Sequence, residues 1–140
     1  MTSFGLETLS AEECVSLLAS QSVGRVAVWS GEHPAILPVL YGMLDDDVVF
    51  RTGPGEKLIA AALGQQVVFE IDAVESVART GWSVNVVARA ERIVNPHELE
   101  RAEQLRLEQW GVDYRDEFVR LRTQQLSGRR IRVESGPTES

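Results

Sequence analysis

Alternating apolar and polar residues predict that most of the chain forms β-strands linked by short turns. The pattern has the two-residue period of half-buried strands. It covers residues 23–29, 35–41, 48–52 and 66–72. A longer stretch, residues 82–94, predicts a bent strand that crosses a small barrel. Residues 128–134 predict a last, charged strand.

Three short helices are predicted in the gaps between these strands. Ser10 and Glu13 have the spacing of a capping box, so a helix begins there and ends near residue 20. Residues 57–63 form a second short helix, which Gly64 ends. Asn95 is a good N-cap and Pro96 suits the first helical position of a third helix.

Three regions give weaker patterns. The pattern of residues 108–127 is ambiguous. It is interpreted as a second helical piece that carries Tyr114, Phe118 and Leu121. The first ten residues and the tail 135–140 are polar or small and are expected to fray. The prediction is one domain over residues 1–140, with an ordered core from about residue 9 to residue 134.

Strands dominate, and hairpins connect them, so the predicted fold class is mainly β: a six-stranded antiparallel barrel with short α-helices. Such a barrel has little interior room, so a sizeable ligand is expected on the outer wall or against a second subunit. Pro38 interrupts the second strand because it cannot donate to a ladder. It indicates an edge, a bulge or a place where something else approaches the backbone.

Composition narrows the classes of partner. The 140-residue chain carries a net charge of −7, which argues against nucleic acid and anionic membranes as partners. No apolar run approaches the ~18 residues of a membrane-spanning helix, and no secretory signal is recognised, so a cytoplasmic location is expected. The single cysteine, Cys14, excludes an intrachain disulfide and lies on an apolar helical stripe, which indicates a core position.

One segment gathers groups that bind anions. The chain has thirteen arginines but one lysine, Lys57, and this lysine follows closely on Arg51 and Thr52. A strand end and a helix start would bring a guanidinium, a hydroxyl, an ammonium and backbone N–H groups together, which suits a phosphate. The alternative is a tight turn with solvated side chains. Glu56 and Leu58 flank Lys57, so the segment is not a P-loop.

Other chemistries find no support in the sequence. Neither His33 nor His97 has a carboxylate or cysteine at the spacing of metal ligands, so both are expected on the surface. The acidic run 45–47 lacks the spacing of a calcium loop and reads as a solvated turn, so no metal site is expected. Cys14 has no nearby histidine and no nucleophile elbow occurs, so hydrolytic chemistry is not indicated.

Seven short motifs together resemble the pyridoxamine 5′-phosphate oxidase-like superfamily of FMN-binding split β-barrel proteins. The resemblance runs from about Leu9 to Val133 and is closest to a short actinobacterial branch related to nitroimidazole-resistance-type proteins. The motifs are VGRVAV (23–28), PVLY (38–41), FRT (50–52), GEKL (55–58), VFEID (68–72), GWSV (81–84) and SGRR (127–130).

The resemblance implies a homodimer with FMN, or a deazaflavin coenzyme, bound at the subunit interface. It also implies three groups of cofactor-binding residues. They are Arg51, Thr52 and Lys57 for the phosphate; the backbone of Leu37, Pro38 and Val39 for the isoalloxazine edge; and Trp82 and Ser83 near the flavin.

The function implied is an FMN-binding oxidoreductase that passes electrons from a nicotinamide or another reductant to a small organic substrate. Two alternatives stay open. One is a deazaflavin-dependent reductase, with Arg25, Arg129 and Arg130 holding the anionic tail. The other is a non-catalytic module that binds a flavin or another planar ligand. The extended C-terminal segment of the pyridoxamine phosphate oxidases is not found, so that activity is not expected, and no catalytic residue is assigned.

Overall fold

The computed structural model describes residues 2–53, 55–107 and 117–135, with side chains from residue 5 to residue 132. Strands make up most of this part of the chain, as the alternating pattern predicts. In chain order the elements are β1 (Thr2–Thr8), α1 (Ala11–Ser20), β2 (Val23–Trp29), β3 (Pro34–Leu44), β4 (Asp47–Thr52), α2 (Lys57–Ala62), β5 (Gln66–Glu75), β6 (Thr80–Arg92), α3 (Pro96–Glu103) and β7 (Glu117–Ser135).

Six of the strands close into a barrel, and every pairing is antiparallel. The order around the barrel is β2-β3-β4-β7-β6-β5, and β5 pairs back onto β2. The prediction of a mainly β, six-stranded antiparallel barrel is confirmed. β1 lies outside the ring and pairs with the last part of β7, where Leu6 faces Ile131.

Alternate side chains fill the barrel interior with one continuous apolar core. Because successive residues of a strand point to opposite faces, every second residue is buried there. The largest buried side chains of this core include Phe50, Phe69, Ile71, Val84 and Val86. A ligand of any size must therefore bind outside the barrel, as expected from its small circumference.

The helices begin where the capping residues predicted. Ser10 Oγ accepts the Glu13 N–H (3.1 Å), and the Glu13 carboxylate accepts the Ser10 N–H (3.2 Å), which completes the capping box of α1. Asn95 caps α3 with its side-chain oxygen, which accepts the His97 and Glu98 N–H groups. Cys14 is buried against β7, as the apolar stripe indicated.

Two predictions, one for the first residues and one for residues 117–127, were wrong. Residues 2–8, expected to fray, form β1, and residues 117–127, read as helical, belong to β7. Along residues 118–121 both faces of β7 are buried: Val119 and Leu121 face the barrel core, while Phe118 packs under α3. Strands covered on both faces lose the alternating pattern. Tyr114 lies outside the described residues.

A buried arginine joins α3 to the barrel wall. Arg120 is only 7% exposed; its Nε donates to Asp47 (2.9 Å), and its guanidinium also contacts Asp45 (3.3 Å) and Glu98 (3.6 Å). These three carboxylates come from the β3–β4 turn and from α3. The ion pairs therefore hold both segments against β7.

Candidate functional site

β3 and β4 separate part-way along their length and leave a cleft in the barrel wall. They pair from Leu44–Asp47 only as far as Tyr41–Phe50. Beyond that point a cleft of about 320 Å³, here called the split cleft, opens between residues 37–40 and residues 50–53. Val23, Glu56 and Ile59 complete its lining. Its volume is at the lower end of the range of small-molecule sites.

Pro38 lies on the open edge of β3 and does not break the strand. β3 continues through Pro38, which faces Arg25 of β2. The Tyr41 N–H points toward β2, where it donates to the Ser22 carbonyl (2.9 Å). Because backbone polar groups alternate between the two edges of a strand, those of Pro38 point the other way, into the split cleft. The interruption expected at Pro38 is therefore an unpaired edge, one of the three alternatives.

Arg51 is the cation at the base of the split cleft. Its guanidinium carbon lies 5.0 Å from the centroid of the Phe118 ring, which fixes the side chain by a cation–π contact. Its Nε is buried and has no hydrogen-bond partner among the described residues. Buried N–H groups are nearly always paired, so this one is suited to donate a hydrogen bond to an anionic ligand.

The fold brings five of the eight predicted site residues into one cleft: Leu37, Pro38, Val39, Arg51 and Thr52. Lys57 is exposed as the first residue of α2 and lies beside the cleft, outside its lining. Trp82 and Ser83 are on β6, separated from β3 by β2 and β5, so a single chain does not bring them to the cleft.

Glu56 lines the split cleft, which the sequence did not predict. Its carboxylate accepts the Leu58 N–H (3.2 Å), so it caps α2. The same half-buried side chain also lines the split cleft together with Arg51. The cleft thus holds a negative charge beside its arginine, and spacing alone gave no signal of this.

A second cleft of about 450 Å³ lies on the other side of Arg51. Arg51 and Phe118 are on its wall, so Arg51 is common to both clefts. The remaining lining residues come from the end of β6 and the residue after it, from α3 and the segment that follows it, and from the start of β7. They are Arg92, Ile93, Leu99, Glu103, Arg106, Leu107 and Glu117.

Arg25, a candidate for an anionic tail, is already engaged by two carboxylates on the outer wall. Its Nη2 lies 2.8 Å from Glu70 Oε1 and 2.7 Å from Asp72 Oδ2. Burial raises the pKa of the Glu70 carboxyl despite the opposing hydrogen bond from Arg25, and the neighbouring Asp72 adds to the rise. Within one chain these two carboxylates already neutralise the Arg25 guanidinium, so it attracts a further anion only weakly.

The other two candidates for an anionic tail are on β7. Arg130 is engaged by carboxylates in the same way, with Glu7 at 3.3 Å and Glu13 at 3.5 Å, whereas Arg129 is exposed. Arg129 and Arg130 are on the part of β7 that pairs with Ser83 and Trp82 of β6, whereas Arg51 pairs with Phe118 near the start of β7.

Two further properties concern metals and membranes. In residues 2–53, 55–107 and 117–135, no group of three or more His, Cys, Asp or Glu side chains is placed to hold a metal ion. No helix in this part of the chain is long and apolar enough to cross a membrane. His33 and His97 are both exposed, as expected.

The chain is similar to one set of proteins over almost its full length. The family model described as pyridoxamine 5′-phosphate oxidase matches residues 10–130. The chain is 33% identical over 132 residues to the uncharacterised protein Rv0080 of Mycobacterium tuberculosis, covering 91% of this chain and 86% of that protein. The structure of an FAD binding protein from Mycobacterium smegmatis superposes with a TM-score of 0.79 at 33% identity, covering 89% of this chain and 97% of that one. For an FAD-binding protein from Mesorhizobium loti the TM-score is 0.73 at 28% identity, with 89% and 97% covered.

Proposed function

Because the chain belongs to the pyridoxamine 5′-phosphate oxidase family, we propose that it is a flavin-binding oxidoreductase with its cofactor in the split cleft. The family resemblance seen in the sequence motifs is confirmed by the match over residues 10–130. The observation that carries the proposal is the Nε of Arg51, which is buried and has no hydrogen-bond partner within the described part of the chain, beside a cleft whose opposite wall is apolar. Two relatives of known structure are FAD-binding proteins, which supports the same ligand class.

The lining residues suit the two chemically different parts of a flavin nucleotide. Leu37 and Val39 offer apolar surface to a planar ring, and Pro38 leaves backbone carbonyl oxygen on the open edge. Arg51 and Thr52 offer a guanidinium and a hydroxyl to the phosphate. We propose that Lys57, exposed beside the cleft, adds its ammonium when the phosphate is present. These are the phosphate-binding roles expected from the sequence.

A bound flavin supplies hydride transfer by itself, so the chain need only hold, orient and shield it. Arg51 and Thr52 would fix the phosphate end, and the apolar wall would exclude water from one face of the ring. The proposed reaction passes electrons from a nicotinamide or similar reductant to a small organic acceptor. FMN is the smallest flavin that carries both the ring and the phosphate for these contacts.

Absorption spectroscopy of the purified protein tests this proposal. We expect co-purified or added flavin to bind stoichiometrically and to stabilise the fold, by about 2.7 kcal/mol at 100 times the dissociation constant. Reductase assays with NADH and NADPH then separate an enzyme from a non-catalytic binding module. A deazaflavin titrated alongside FMN identifies the deazaflavin alternative. Absence of a thermal shift with any of these cofactors would exclude a flavoprotein.

We further propose that the functional unit is a homodimer and that Trp82 and Ser83 act at its interface. A row of apolar residues crosses the outer wall beside the split cleft: Ile36 of β3 faces Ala27 of β2, which faces Val68 of β5. Ile36 is 68% exposed and the adjacent Trp29 is 62% exposed. Contiguous exposed apolar surface of this kind is typical of subunit contacts.

Replacing Ile36 with aspartate is therefore expected to shift the protein from dimer to monomer, because an interfacial carboxylate would have to be desolvated without a partner. Light scattering coupled to gel filtration measures the mass. Val77→Asp is the matched control, since Val77 is 92% exposed in the β5–β6 turn, away from this row. A wild-type protein that is monomeric at micromolar concentration, with its flavin bound, would rule out the dimer.

A further inference from the structure

A charged cluster lies beside the apolar row of the outer wall. Arg25 of β2 is in register with Glu70 of β5, two residues along the strands from the pair formed by Ala27 and Val68. Since alternate residues of a strand point to the same face, the cluster and the row share one surface, about 6–7 Å apart. Ile36 extends the row onto β3.

The cluster carries a net charge of −1, because one guanidinium faces two carboxylates. Arg25 Nη2 lies 2.8 Å from Glu70 Oε1 and 2.7 Å from Asp72 Oδ2, and the three side chains are 40%, 32% and 44% exposed. Among the described residues, Arg25 is the only cation within ion-pair distance of either carboxylate. The in-register neighbours on the same face carry no charge: they are Pro38 on β3, and Asn85 and Ser83 on β6. Arg89 and Arg129, further along this face on β6 and β7, do not lose their charge in the neutral range.

A second subunit that covers the apolar row would also remove water from this cluster. A stable interface covers about 800 Å² of each partner, which is much more than the few side chains of the row. Burial already raises the pKa of the Glu70 carboxyl within one chain, and the nearby Asp72 carboxylate adds to the rise. Further desolvation favours the protonated form of a carboxyl. The Glu70 carboxyl would therefore bind a proton more readily in the dimer than in the free subunit.

From this arrangement we propose that formation of the homodimer is coupled to uptake of a proton by Glu70, so that acidic pH favours the dimer. The inference rests on the proposed homodimer and adds a regulation to it. Trp82 and Ser83 are proposed to act at the same interface, so the complete flavin site would also assemble more readily at acidic pH.

Thermodynamic linkage gives the sign and the pH range of this effect. A carboxyl that holds its proton more strongly in the dimer than in the free subunit stabilises the dimer at low pH. This contribution is lost as the pH rises through the range in which the carboxyl titrates in the dimer. Because the pKa of Glu70 is raised, that range lies above the ordinary range of a glutamate carboxyl.

Sedimentation equilibrium of the purified protein at constant ionic strength tests the proposal. We expect the dissociation constant of the dimer to be about five- to tenfold lower at about pH 5.5 than at about pH 8. Glu70→Gln should dimerise at the higher pH as tightly as the wild type does at the lower pH, because glutamine resembles the protonated carboxyl. If the dimer does not dissociate at the lowest measurable concentration, the comparison is made in an Ile36→Ala background. That substitution weakens the apolar contact without adding a titratable group.

Two control variants separate Glu70 from other groups that change the charge of the protein. Glu75→Gln removes the same charge from the end of β5, but on its opposite face. It controls for the net charge of −7, whose self-repulsion also decreases as the pH falls. His33→Gln removes an exposed histidine from the β2–β3 turn, since histidine is the other side chain that commonly titrates between these pH values. Both variants should keep the pH dependence of the wild type.

The possible results distinguish this proposal from the homodimer itself. A wild-type dissociation constant that changes less than about twofold between the two pH values would overturn the coupling and leave the dimer standing. The coupling is also wrong if Glu70→Gln keeps the wild-type pH dependence, or if either control variant loses it. A protein that is monomeric at both pH values with its flavin bound would overturn the homodimer and the coupling together.

Discussion

Replacing Arg51 with alanine is expected to weaken flavin binding about ten- to a hundredfold. The substitution removes the proposed charge-assisted hydrogen bond to the phosphate; such a bond contributes about 1.5–3 kcal/mol, and about 1.4 kcal/mol corresponds to a factor of ten. Combined with Lys57→Ala, it is expected to abolish binding while the protein stays folded and dimeric. Titration followed by flavin fluorescence measures the affinity, and circular dichroism checks the fold.

Two further variants show whether the loss comes from the guanidinium. Arg51→Lys keeps the charge but not the planar fork that also stacks on Phe118, so it should recover only part of the affinity. Arg132→Ala removes an arginine that touches neither cleft and should bind flavin as the wild type does. If Arg51→Ala binds within twofold of the wild type, the phosphate is not held at the base of the split cleft.

The largest loss of stability is expected from replacing Arg120 with methionine. Removing the buried cation leaves the Asp47 carboxylate with only the Thr123 N–H (3.0 Å) as a close donor, while Glu98 keeps Arg122 (3.0 Å). Breaking a buried pair in this way costs about 3–5 kcal/mol. Urea denaturation should show the midpoint moving down by one to a few molar, because small domains lose about 1–3 kcal/mol per molar of urea.

Arg101→Met is the matched control for this substitution. Arg101 also bonds Asp45 (2.8 Å), but this pair is largely exposed, so its loss should cost less than about 1 kcal/mol. A second variant, Arg120→Met with Asp47→Asn, should recover part of the lost stability, because the carboxylate that needed the arginine is gone. Equal losses for Arg120→Met and Arg101→Met would show that the Arg120 network contributes no more than a surface pair.

Local patterns were sufficient wherever one face of an element is buried and the other is exposed. Buried and more exposed residues alternate along β2 and along most of β5. Ser10 and Asn95 cap their helices with their own side-chain oxygens. These features depend on residues within a few positions of each other, so the sequence carries them directly. The sequence failed at residues 117–127 of β7, where residues 118–121 are buried on both faces, and at β1, whose pairing partner is more than a hundred residues away.

The candidate site also has one part that the sequence predicted and another that only the tertiary structure shows. The sequence predicted that Arg51 and Thr52 lie at the end of a strand and that Pro38 marks an edge, a bulge or a close approach, because strand ends and proline chemistry are local properties. Only the closed barrel decided that β3 and β4 separate beyond Tyr41 and Phe50, which makes the cleft.

The tertiary structure also decided which charges share that space. It set Glu56 beside Arg51, left Lys57 outside the lining and placed a second cleft behind the same guanidinium. The residue types and their order predicted an anion site, and the family resemblance implied a flavin. Charge balance and available volume depend on side chains from strands and helices distant in sequence, so they follow only when the barrel closes.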